Sequence, residues 1–166
     1  MLMDLKIAFQ ELAEAVKRII NDRISRYGYN ERARKNTLEG SELQKSINVK
    51  PIEYGIELQI ANYWEYVSLG WKRTGRFPDT YSQFVENIDK WVTNKNIRLG
   101  DLTQSEIVYY VIKQIWENGI KSRPFLVWDE DGDLTKMIPE LNDYIDKWFD
   151  GLFEAIIEDL NKYFNG

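Results

Sequence analysis

From Ile138 to Phe164, apolar residues recur every three or four positions with almost no interruption, and this run constrains the fold more than any other feature of the sequence. The period predicts a long C-terminal helix over Met137–Phe164. It spans ~42 Å at ~1.5 Å per residue. Pro139 is tolerated only in its first turn, where a missing N–H costs nothing. The apolar stripe is wide and aromatic, which suits either a helix sunk in the chain's own core or one that shares its face with another subunit.

A second amphipathic helix is predicted from about Asp4 to Arg26, where Leu5, Phe9, Leu12, Val16, Ile20 and Ile24 fall on one side; Gly28 ends it. Two strands follow, with Ile47 and Val49 alternating with Asn48 and Lys50, and Ile56, Leu58 and Ile60 alternating with Glu57 and Gln59. Pro51 to Gly55 connects them as a hairpin. The aromatic stretch Ala61–Leu69 extends the second strand or starts a short helix. Tyr81 to Val92 is a further helix, capped by Asp79. Thr103 and Glu106 make a capping box for another, which Asn118-Gly119 stops. Pro124 to Trp128 reads as a short strand, and Asp129 to Asp133 as a turn. The expected architecture is α+β: a small antiparallel β-sheet packed with an N-terminal helix, two middle helices and a long C-terminal helix, in one domain over 1–166. A polar arm or loop at 29–40 and an exposed loop at 70–80 interrupt it.

The 166 residues include no Cys and no His. Thiol nucleophiles, disulfides, triads with a His base and nitrogen- or sulfur-ligated zinc are therefore excluded. Paired carboxylates remain, and Glu65 or Glu86 with a second acid would serve a hydrolase of the glycosidase type. With 27 acids in the chain, such a pair is unspecific. Asp129, Asp131, Asp133 and Glu140 imitate calcium-loop spacing, but Leu134 stands where the sharp turn needs glycine, and Pro139 intrudes. The glycines form no phosphate loop. No cofactor is expected. The N-terminal segment has no unbroken signal-peptide core, nothing approaches the ~18 apolar residues of a membrane span, and no membrane partner is expected.

The formal charge of −5 is unevenly spread. Residues 17–35 carry +5, leaving −10 elsewhere. Arg23, Arg26, Arg32, Arg34 and Lys35 are the candidate basic arm, fit either for DNA or for a neighbouring subunit's acidic C-terminal part, where Asp129 to Gly166 holds eleven acids against Lys136, Lys147 and Lys162.

Three segments carry a family resemblance: Thr37-Leu-Glu-Gly-Ser-Glu-Leu-Gln-Lys-Ser-Ile47, Tyr63-Trp-Glu-Tyr-Val-Ser-Leu-Gly70, and Gly119-Ile-Lys-Ser-Arg-Pro-Phe-Leu126. In this order, with an N-terminal helix before and a long helix after, the chain resembles the tail-completion, or neck, proteins of tailed bacteriophages. It departs from them at Ser68-Leu69-Gly70-Trp71 and in its longer stretch from Trp71 to Gly100. The resemblance implies a non-enzymatic structural virion protein made in the host cytoplasm. It would form a homo-oligomeric ring of twelve or six subunits at the head-tail junction, in contact with a portal or adaptor ring and with tail proteins. DNA would pass through the lumen without sequence-specific binding. The candidate interface residues are Trp64, Tyr66, Trp71, Arg73, Arg76, Phe77, Arg123, Pro124 and Phe125. The competing reading is an intracellular adaptor or regulator that grips a partner through its apolar helix, and a carboxylate hydrolase stands behind both.

Overall fold

The computed structural model describes residues 5–73 and 82–165. They form seven helices and four short strands: α1 (Leu5–Tyr27), β1 (Tyr29–Asn30), β2 (Lys35–Asn36), α2 (Glu42–Ser46), β3 (Asn48–Ile52), β4 (Gly55–Gln59), α3 (Trp64–Leu69), α4 (Gln83–Asn94), α5 (Gln104–Asn118), α6 (Leu134–Met137) and α7 (Leu141–Asn165). The fold class is α+β, largely helical, with two separate two-stranded antiparallel sheets. The one domain read from the sequence is divided internally. Met1–Leu69 with Arg123–Gly166 form one compact unit, and Gly70–Ser122 form a second whose chain is inserted into the first.

In the first unit α1 supplies the floor of the core. Val16, Ile20 and Ile24 are fully enclosed with Leu43, Phe125, Ile138 and Leu141. β3 and β4 pair as the alternation requires, Val49 opposite Leu58 and Pro51 opposite Ile56, which puts those four side chains on the half-buried face. The short helix α2, absent from the sequence reading, is set by Ser41, whose hydroxyl accepts the Gln44 amide.

The polar segment 29–40, expected as a loop or arm, is a folded hairpin. Tyr29 pairs with Asn36, and Asn30 with Lys35. The Asn36 side chain fixes the hairpin to the end of α1 by donating to the carbonyls of Ile24 and Ser25, at 3.0 and 3.2 Å. Gly28 is required there by this close approach rather than by a left-handed backbone, since a Cβ would lie 2.2 Å from Asn36 Oδ1.

Two further expectations are corrected. Pro124–Trp128 is not a strand: the carbonyls of Pro124 and Phe125 and both backbone groups of Leu126 bond to side chains, and the Val127 amide donates to the Met137 carbonyl, with no neighbouring strand among the described residues. The last helix begins at Leu141, not at Met137. Asp133 caps the separate single turn α6, and Pro139 sits in the bend between α6 and α7 rather than in the first turn of a continuous helix.

The second unit packs α4 on α5 around Val92, Ile107, Val108 and Ile112. Thr103 and Glu106 form the expected reciprocal capping box. Ser82 caps α4 by accepting the Val85 amide; Asp79, the expected cap, lies outside the described residues. Trp71 and Ile120 exchange two backbone hydrogen bonds of 2.8 and 2.7 Å, which close the base of this unit.

Candidate interaction surface

Residues of the three motif segments, Thr37, Val67, Ser68 and Arg123 to Leu126, far apart in sequence, meet in the first unit through a small set of buried polar contacts. Phe125 and Leu126 are fully buried, and a segment outside helix and sheet at that depth must find partners for its backbone. Arg23, which is 5% exposed, supplies two of them: its Nε donates to the Phe125 carbonyl at 2.7 Å and its Nη2 to the Pro124 carbonyl at 3.1 Å. The Ser68 hydroxyl supplies two more, donating to the Leu126 carbonyl and accepting the Leu126 amide. Arg123 completes the set. Its amide donates to the carbonyls of Val67 and Ser68, and its guanidinium donates to Thr37 Oγ1 at 2.6 Å. Burial pushes the Arg123 guanidinium below its ordinary pKa.

Several candidate interface residues therefore have internal roles. Phe125 is core, and Arg123 ties two chain segments together; neither is free for another molecule. Only Pro124 of that triplet has an exposed side chain. Trp71 is likewise a packing residue, stacked on Phe84 at 6.3 Å and tilted against Trp116 at 5.7 Å. Arg73 is exposed and lies over the Trp116 ring, 5.5 Å from its centre. Arg76 and Phe77 lie outside the described residues. Trp64 is half-buried and stacks on the exposed Trp128 at 6.4 Å, while Tyr66 faces solvent. Near them the Tyr63 hydroxyl has a raised pKa, first through burial and then through the charge of Glu42.

The basic window is not a single arm. Arg23 turns inward, and both it and Arg26 bond to Glu140, at 2.5 and 3.4 Å. Burial pushes the Glu140 carboxyl up, but its own backbone amide and the Arg23 and Arg26 cations outweigh this and hold it below the usual range. The acidic partner imagined on a neighbour is, for these two arginines, in the same chain. Arg32, Arg34 and Lys35 remain exposed on the β1–β2 hairpin.

The calcium-like loop is organised around the chain's own donors. One oxygen of Asp129 accepts the amides of Asp131 and Asp133, and Lys136 lies within 4 Å of all three aspartates. The Asp133 amide is the main reason the Asp129 carboxyl is held low, and the Thr135 hydroxyl does the same for Asp133. Glu140, the fourth member by spacing, faces Arg23 instead. Of the two carboxylates considered for hydrolysis, Glu65 is on α3 in the first unit and Glu86 on α4 in the second, where Gln83 donates to it at 3.1 Å. Among the described residues no helix is long and apolar enough to cross a membrane.

Among the described residues, α7 carries a run of exposed apolar side chains. That helix carries two stripes. Leu141, Trp148 and Leu152 turn toward the core, and Phe9 meets Trp148 with ring centres 5.6 Å apart. Phe149, Phe153, Ile157, Leu160 and Phe164 form a second stripe, from 45% to 77% exposed. Trp148, Phe149 and Phe153 make a continuous series of ring contacts that joins the two. The sequence reading marked the helix as wide without separating the stripes. The signal for separation was present, because positions 149, 153, 157, 160 and 164 fall within one ~80° sector at ~100° per residue, away from the sector holding 141, 148 and 152. No protein-family model matches this sequence, and no curated protein or solved structure matches it significantly.

Proposed function

We propose that this chain is a structural virion protein of a tailed bacteriophage, a neck or tail-completion subunit that assembles into a ring between the portal-bearing head and the tail. The observation that carries the reading is the convergence of the three resembling segments. Thr37, Ser68 and the Arg123–Leu126 stretch bond to one another within a single unit, so residues from all three resembling segments share one scaffold, as the reading requires. The aromatic stripe of α7 supports it, since a subunit made to assemble needs apolar surface left open in the isolated chain. The net charge of −5 suits a lumen through which DNA slides without being gripped. The partners are further copies of the chain, a portal or adaptor ring, and tail proteins; the ring acts by joining and sealing rather than by catalysis.

The adaptor reading rests on the same α7 stripe, and a genetic experiment separates the two. A phage in which the reading frame is stopped early is expected to make filled heads and complete tails that fail to join, seen by negative-stain microscopy of lysates. Normally joined, infectious particles from that mutant would refute the neck assignment.

A further inference from the structure

The exposed stripe of α7 is bordered on its solvent side by acids. Asp146, Asp150 and Glu154 follow one another at four-residue steps beside Phe149, Phe153 and Ile157, and all three acids are exposed. A second α7 laid against this stripe would bring like charges together along the same edge, which disfavours a symmetric helix-to-helix contact. A surface that presents cations next to aromatic groups fits it better.

The chain has such a surface on the β1–β2 hairpin. Arg32, Arg34 and Lys35 are exposed there, together with Tyr29 at 57%. Hairpin and stripe belong to opposite ends of the first unit. The hairpin is fastened to the C-terminal end of α1 through Asn36. α7 runs antiparallel to α1, since Glu140 meets Arg23 while Trp148 meets Phe9, so the residues after Trp148 lead toward and beyond the N-terminal end of α1. The two patches are separated by about the ~33 Å length of α1, at ~1.5 Å per residue. Complementary patches at opposite ends of one subunit cannot meet within it. They are satisfied head to tail, by a heterologous contact that closes into a ring when the rotation permits.

We propose that the distal half of α7 docks on the β1–β2 hairpin of a second copy of this chain, its phenylalanines beneath the neighbour's Arg32 and Arg34 and its acids against the same cations. Guanidinium groups over aromatic faces match both the charge and the apolar character of the stripe. This inference deepens the ring reading and rests on it, by naming the two surfaces that join adjacent subunits.

The absence of native Cys gives a clean test by site-directed cross-linking of the full chain. Asn161→Cys and Ala33→Cys proteins, both altered at exposed positions beside the two patches, are mixed and treated with a short bismaleimide. The Asn161→Cys to Ala33→Cys product is expected to exceed the Asn161→Cys self-product by about tenfold and to fall steeply in high salt, where the Debye length shrinks to ~3 Å. Adding Phe153→Asp to the first partner is expected to abolish it, with unchanged circular dichroism showing that the fold is retained. Predominance of the self-product would overturn the proposal, as would a yield no greater than that of a Glu57→Cys control. The ring reading is tested separately by the presence of the chain in virions. A chain found at the neck but without this cross-link retains the ring and loses the docking surfaces, and a chain missing from virions loses the ring whatever the cross-link shows.

Discussion

Arg23 on α1 donates its Nε–H to the carbonyl of Phe125, 102 residues along the chain, at 2.7 Å. The bond explains why an arginine occupies the apolar stripe of a helix. Its position, between Ile20 and Ile24, is one that a hydrophobic residue would otherwise take, and its guanidinium replaces the strand that Pro124 and Phe125 lack. Truncation should therefore cost more than a surface charge does. Arg23→Ala is expected to destabilise the chain by about 3–5 kcal/mol, because it leaves buried carbonyls without donors and Glu140 without its main partner. Urea unfolding followed by circular dichroism measures this; a loss below ~1 kcal/mol would show that the bond is dispensable.

The pH dependence follows from Glu140. Its carboxyl is held below the ordinary glutamate value of 4.5 in the folded chain, so on acidification the unfolded chain takes up this proton first. The stability contributed by Glu140 is complete above that value and is lost as pH falls toward the lowered folded one. The urea midpoint should be flat from pH 7 to about 5 and then decline, with a shallower decline in Glu140→Gln. Asp129, Asp133 and Glu106, also held low, add to the slope in the same direction and remain in the variant.

Ser68→Ala removes one hydroxyl and leaves two buried backbone groups of Leu126 without partners. The expected loss is about 1–3 kcal/mol. Ser68→Thr retains the hydroxyl but adds a methyl group to a fully buried site, and it is expected to recover only part of the loss. Denaturant unfolding of the three proteins side by side checks the order.

Gly119→Ala tests the base of the second unit. Gly119 has φ +71°, and a Cβ there would lie 2.5 Å from the Trp71 carbonyl oxygen, a backbone atom with little room to move. The substitution is expected to cost about 1–3 kcal/mol and to open the Trp71–Ile120 pair. Faster hydrogen exchange at the amides of Trp71 and Ile120, with the α1 amides unaffected, is the expected readout.

Features encoded in short stretches were legible in the sequence. The capping box at Thr103 and Glu106 needs only four residues, and the β3–β4 pairing needs only an alternation and a turn. Features that depend on a distant partner were not. Pro124–Trp128 has the composition of a strand, and nothing local distinguishes a segment held by Arg23 and Ser68 from one held by a neighbouring strand. The same holds for the basic window, where Arg23 and Arg32 look alike until Glu140 is brought alongside the first. Pro139 was compatible with a helix start at Met137, whereas the break at Ile138–Glu140 became visible only with α6 opened by Asp133 and ended at Met137, and α7 opened at Leu141. The exposed stripe lay between these cases. Its period was local, but which of two apolar sectors would stay open depended on where α1 packed.

Single-particle cryo-electron microscopy of the purified virion tests the central claim most directly. The account predicts a ring of density at the head-tail junction into which repeated copies of this fold can be built, with α7 recognisable as a rod of about 37 Å by the ~1.5 Å rise of its 25 residues. A fully interpreted neck built entirely from other chains, with this protein absent from the particle, would contradict it.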